Sequence, residues 1–184
     1  GNISCVDTKF GYYFLPGREK IIESRRERLL FSEQRLKIAI SAAKKIRSVP
    51  FLRAIFVCNS VGTELATSRS DVDFFIITEK KRIWLARIFV VLILSLFGVR
   101  RTDKKIVKRI CPSFYVSMES LDLSPWRVAG DDVHLAYWIY QMLPIYDQDN
   151  LYDKFLLANS WVKKYLPNTN DCADAKSCVS TTHR

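Results

Sequence analysis

The chain has 184 residues, 48% of them hydrophobic and 26% charged, with a formal net charge of +10. Such a chain is long enough for one domain with a real core, and its composition is ordinary for a globular protein. The basic balance points to polyanionic partners (nucleotides, nucleic acid or an acidic membrane surface) without choosing among them. The five cysteines show no CxxC spacing and no His-rich tract accompanies them, which argues against a structural zinc site and fits a reducing, cytoplasmic compartment. The first residues are polar, so no secretory signal is expected.

In chain order, residues 8–17 (KFGYYFLPGR) predict a short aromatic strand ending in a Pro-Gly turn. Residues 19 to about 47 carry apolar positions at a 3.6-residue period, including Ile22, Leu29, Leu36, Ile40 and Ala43, and predict a long helix ended by Pro50. Leu52 to Cys58 reads as a buried strand, residues 59–69 as a small polar turn, and Val72 to Thr78 as a second strand. Residues 82–98 form an apolar helix stopped by Gly98. Its uninterrupted apolar run, Ile88 to Leu94, is too short to span a bilayer, so a buried core helix is expected and stable membrane insertion is not. A helix lying on an anionic membrane is the alternative.

The basic stretch 100–109 reads as a solvated loop or strand edge, and residues 113–118 as a third strand. Asp131 or Asp132 is expected to cap a helix reaching about Met142, and Pro144 to separate it from a last helix over about 151–165. The tail from residue 169 lacks apolar periodicity and reads as disordered. The resulting fold class is α/β (α+β): a small mixed β-sheet flanked by helices. A strand and long helix (1–47) precede a core (48–124), a helical pair (125–168) and the tail (169–184).

The chemistry-bearing stretch is Asn59-Ser60-Val61-Gly62, followed by Ser70-Asp71-Val72-Asp73 at the head of the second strand. Residues i and i+2 of a strand share a face, so Asp71 and Asp73 project together while Val72 and Phe74 turn into a core. Paired carboxylates repel each other unless a cation lies between them, and carboxylates holding Mg²⁺ with phosphate co-ligands recur in phosphoryl transfer.

Strand, short turn, and Ser-Asp-x-Asp opening the next strand: this arrangement from Phe56 to Thr78 resembles the nucleotidyltransferase superfamily, which includes polymerase-β-like and minimal nucleotidyltransferases. Asn59-Ser60 stands before Ser70 at the family's separation, with Asn59 where the family has glycine. The resemblance implies a nucleotidyltransferase-like fold in which Asp71 and Asp73 bind Mg²⁺ and carry catalysis. It also implies that Asn59, Ser60, Gly62 and Ser70 hold the nucleoside triphosphate. Active members place a third carboxylate on a neighbouring strand. Residues 113–118 contain none, which leaves Glu64, Glu119 or Asp122.

Three functions follow. The first is Mg²⁺-dependent transfer of a nucleoside monophosphate from a triphosphate to an acceptor: a small molecule, a protein or a nucleic acid. The second is a catalytically degraded domain of the same fold that binds nucleotide or nucleic acid. The third is a basic, membrane-peripheral interaction module. Arg69, Lys80, Lys81 and Arg82 are candidates for neutralising triphosphate charge.

Overall fold

A computed structural model describes residues 6–128 and 130–167. The expected disorder beyond residue 169 lies outside them. Strands β1 (Asp7–Lys9) and β2 (Tyr12–Phe14) form an antiparallel hairpin where a single strand was expected. Phe10 and Gly11 both take positive φ (52° and 79°), the geometry that a two-residue hairpin loop requires. Helix α1 (Lys20–Ile46) follows. Strand β3 (Leu52–Cys58) leads through the short helix α2 (Asn59–Gly62) and a loop into β4 (Val72–Thr78). Then come α3 (Ile83–Leu96), β5 (Ile110–Ser117), α4 (Val133–Tyr140), β6 (Leu143–Asp147) and α5 (Leu151–Ala158), with a 3₁₀ turn at Ser160–Lys164.

The central sheet has the order β5-β4-β3-β6. Strand β3 runs antiparallel to both β4 and β6, whereas β4 and β5 are parallel and joined through α3. Pro144 does fall between two helices, α4 and α5, but within a strand that was not expected. It lies inside β6, opposite Phe56. The last helix ends at Ala158, short of the expected reach to about residue 165. Both sheet edges carry a proline, Pro112 on β5 and Pro144 on β6, where the missing N–H costs least.

Alternation along the two central strands builds a core on each face. Ile55, Val57, Val72, Phe74 and Ile76 pack with Ala39, Ile46, Val90 and Leu94 of α1 and α3. Phe56, Phe75 and Ile77 turn the other way, towards Ile139 of α4 and Leu151 and Phe155 of α5. The sheet is thus a middle layer between two helical layers, a small mixed α+β fold. Asp73 shares the alternation of Phe75 and Ile77, so it faces the α4 side, while Val72 and Phe74 enter the opposite core as the pleat demands.

Helix α3 departs from the expected buried helix. Ala86, Val90 and Leu94 are buried, but Ile88 and Leu92 are exposed. The helix contributes one face to the core and leaves the other uncovered.

Helix α1 pins the loop that delivers the aspartates. Arg35 is fully buried. Its guanidinium donates to the carbonyls of Ser70 (3.1 Å), Thr67 (3.2 Å) and Ser68 (2.8 Å). One turn away, the Ser32 hydroxyl accepts from the Ala66 amide at 3.2 Å. Arg25 holds the Glu64 carboxylate and carbonyl at 2.7 and 2.8 Å. Charge-assisted bonds are among the stronger hydrogen bonds, and the buried guanidinium makes three of them to part-buried carbonyls. Arg35→Met should therefore lower unfolding stability in urea by about 3 kcal/mol. A loss below about 1 kcal/mol would show that the clamp is not what holds this loop.

Candidate functional site

The site lies where the C-terminal end of β3 meets the N-terminal ends of β4 and β5. Asp73 is paired with Cys58 on one side and Cys111 on the other. Ligand atoms of Asp71, Asp73 and Cys111 all lie within 4.8 Å of one another, the one such metal-capable group among the described residues. Both aspartates thus come together as the i, i+2 spacing predicts. The third member is a thiol, because the parallel register sets Cys111 beside Asp73.

None of the three expected third carboxylates joins them. Glu64 pairs with Arg25, Glu119 pairs with Lys80, and Asp122 accepts from the Ser124 amide and hydroxyl, both at 2.8 Å. Lys80 and Arg82, considered for triphosphate charge, follow the far end of β4. A strand of this length separates them from Asp71 by roughly 20 Å. The cation that does reach the site is Arg101, whose Nη1 lies 2.7 Å from Asp71 Oδ2 and 3.8 Å from Cys111 Sγ. Its backbone amide donates to the Ile110 carbonyl at 2.7 Å, tethering it beside the start of β5.

Asp73 is held at both oxygens. Asn59 Nδ2 donates to Oδ2 at 2.9 Å, and the Ser113 hydroxyl donates to Oδ1 at 3.1 Å. The Asn59 amide is itself oriented, since Trp138 Nε1 of α4 donates to Asn59 Oδ1 at 2.7 Å. Trp138 is fixed by edge contacts with Phe75 and Phe114, at 5.8 and 5.0 Å between ring centroids. Asn59 adopts φ 55°, a left-handed conformation that asparagine tolerates better than most residues. Asn59 thus holds a left-handed backbone while its side chain donates to Asp73.

The other turn residues have different placements. Ser60 is half-buried, and its hydroxyl has no partner among the described residues. Gly62 packs under α4. A Cβ there would lie 2.7 Å from the Gln141 carbonyl oxygen and 3.1 Å from that of Val57. Its glycine character answers to that close approach. Ser70 directs its hydroxyl back to the Thr67 amide at 2.9 Å, shaping the loop before Asp71.

Burial pushes the Asp73 carboxyl above its usual range. The Asn59 bond works against this, the Asp71 charge adds to it, and Ser113 and Arg101 oppose it. Burial also raises the Cys58 thiol, with the charge of Asp73 adding to the effect. Cys58 is therefore an inert core thiol.

Sequence reading alone missed Cys111, Ser113, Arg101 and Trp138. The signal for the first three is the Arg-Arg and Cys-Pro-Ser punctuation around the start of β5, which acquires meaning only once β5 is aligned parallel to β4.

A carboxyl raised in the folded state stabilises the fold fully below its unfolded pKa, and that contribution disappears as pH rises through the folded value. At neutral pH and without metal, Asp73 is therefore a net liability. Asp73→Asn should raise Tm at pH 7 in EDTA. The gap should narrow as pH falls towards the unfolded carboxyl value. An equal or lower Tm for the variant at pH 7 would contradict the desolvated-charge account.

No protein-family model matches the chain, and no curated protein matches it. Among solved structures, a chain from a crystal structure of a toxin-antitoxin with AMP-PNP aligns with 13% identity and a TM-score of 0.38, over 79% of this chain and 98% of that one. At that level of likeness, the description of this site rests on its own geometry.

Proposed function

We propose that this chain is a divalent-cation and nucleotide-binding domain of the nucleotidyltransferase type. The observation that carries the reading is the convergence of Asp71, Asp73 and Cys111 within 4.8 Å, beside the Asn59–Gly62 turn. Two carboxylates around a space of that size suit a hard divalent cation, whereas the Cys111 thiol is a poor Mg²⁺ ligand and favours a softer ion. Bound there, Mg²⁺ would offset phosphate charge and polarise the phosphoryl oxygens.

The chain's own residues then have defined tasks. Asp71 and Asp73 supply oxygens. Asn59 and Ser113 hold Asp73 in one rotamer, so one lone pair on each of its oxygens stays directed away from them. Arg101 occupies Asp71 when no metal is bound. Once displaced by the ion, it is placed to pair with a phosphate. The Ser60 hydroxyl and the α2 turn would be the donors available to a bound phosphate.

Transfer of a nucleoside monophosphate asks for more: a group that takes the acceptor hydroxyl's proton. The resemblance implies a third carboxylate for that position, and here the neighbouring strand offers Cys111. We therefore read nucleotide binding as the primary activity, in a cytoplasmic setting, and transfer as the reading that needs Cys111 to substitute for a carboxylate.

Titration of ATP, GTP, CTP and UTP in MgCl₂ and in EDTA tests this reading. Binding should require Mg²⁺ and weaken at least about tenfold in Asp71→Asn/Asp73→Asn. Equal affinity in the double variant refutes the metal-site assignment. The thiol makes a second prediction. Cys111→Asp should strengthen Mg²⁺ binding relative to Mn²⁺, because a hard oxygen replaces a soft sulfur. An unchanged Mg²⁺/Mn²⁺ ratio would place Cys111 outside the coordination sphere.

A further inference from the structure

Helix α3 is apolar on two opposite sides, and only one of them is used by the core. At 3.6 residues per turn, Ala86, Val90 and Leu94 form the buried stripe. Trp84, Leu85, Ile88, Phe89, Leu92 and Leu96 fall within about 140° of arc on the other side, and all six are exposed. Trp84 (73%), Ile88 (60%) and Leu96 (75%) project furthest into solvent. In 14 residues the helix has two polar side chains, Arg87 and Ser95. A contiguous apolar stripe of this kind marks an interaction surface.

Charge says what covers it. Between Glu79 and Asp103 the chain contains no acidic residue, and beside Lys80 and Arg101, which pair with Glu119 and Asp71, it carries Lys81, Arg82, Arg87 and Arg100. Cations sit at both ends of the stripe. Arg87 lies 5.8 Å from the Trp84 ring centroid, and Lys45 of α1 lies 5.3 Å from that of Phe97. A second copy of this chain would bring two arginine-rimmed faces together against a net charge of +10 apiece. The segments outside the described residues, 1–5 and 168–184, carry no apolar run that matches the stripe. No helix among the described residues is long and apolar enough to cross a membrane. An apolar face with Trp, Phe and Leu, rimmed by Arg and Lys and too short to span, is the signature of a helix lying in the interface plane.

We propose that the outer face of α3 docks the protein onto a bilayer surface containing anionic lipid. The stripe enters the headgroup–acyl boundary, and the flanking arginines and lysines pair with lipid phosphates. This inference rests on the α3 face alone and stands or falls independently of the metal site.

Vesicle co-sedimentation tests it, with pure phosphatidylcholine and with phosphatidylcholine–phosphatidylglycerol vesicles. The protein should pellet with the anionic vesicles and not with the neutral ones. Ile88→Gln/Leu92→Gln should weaken that binding at least about tenfold, with an unchanged far-UV circular dichroism spectrum and Tm. Trp84→Gln/Leu96→Gln, at the two most exposed positions, should do the same and guards against a folding artefact in either pair. Failure to pellet with anionic vesicles overturns the proposal. So does full binding by both variants, which would reduce the interaction to charge alone. So does a light-scattering dimer that either variant converts to monomer, which would assign the face to a second copy.

Discussion

Two carboxylates on one face of a strand end, with Asp73 half-buried, set the main electrostatic constraint in this molecule. Asp73 cannot escape its neighbour, because β4 is locked between β3 and β5 and the pleat fixes where residues 71 and 73 point. Its two hydrogen-bond partners, Asn59 and Ser113, are neutral. The full charge available is that of Arg101, which bonds to Asp71 rather than to Asp73 and is itself substantially exposed, with 41% of its side-chain surface accessible against 16% for Asp71. The unliganded site is therefore under-compensated. Together with Cys111 the pair forms a group that could hold a metal ion.

The surrounding scaffold holds that pair in place. Arg35, buried in α1, fixes the carbonyls of the loop immediately before Asp71. Trp138, in α4 on the other side of the sheet, fixes the Asn59 amide and through it one oxygen of Asp73. The two helical layers thus meet chemically at the strand ends. Gly62 lets the turn come under α4 closely enough for this to happen, since its Cβ position is occupied by the Gln141 carbonyl. Asn59 combines a left-handed backbone with a side chain that bridges Trp138 and Asp73, a combination glycine cannot supply.

Much of this was legible in the sequence, and the illegible parts have physical causes. The two central strands read correctly to the residue because both faces are buried and their apolar runs are continuous. Strand β6 was hidden by Pro144, which normally argues against a strand and is tolerated here because β6 is a sheet edge. The N-terminal hairpin was hidden by Phe10, a bulky residue at positive φ that does not advertise a turn. The apolar run of α3 identifies a helix but cannot say which of its two apolar faces meets the core. The aspartate pair follows from the period of a strand, a local rule. Cys111, Ser113 and Arg101 join it through the parallel register of β5, a non-local fact that no spacing within the chain encodes.

The central claim is that Asp71 and Asp73 are held together to receive a cation. The most direct measurement is the Asp73 carboxyl titration by carbon-13 NMR, in EDTA and then with saturating Mg²⁺. The account predicts a pKa above the ordinary carboxylate range without metal, displaced downward when Mg²⁺ is present, because a bound cation favours the ionised carboxylate. A titration curve that Mg²⁺ leaves unmoved would contradict it.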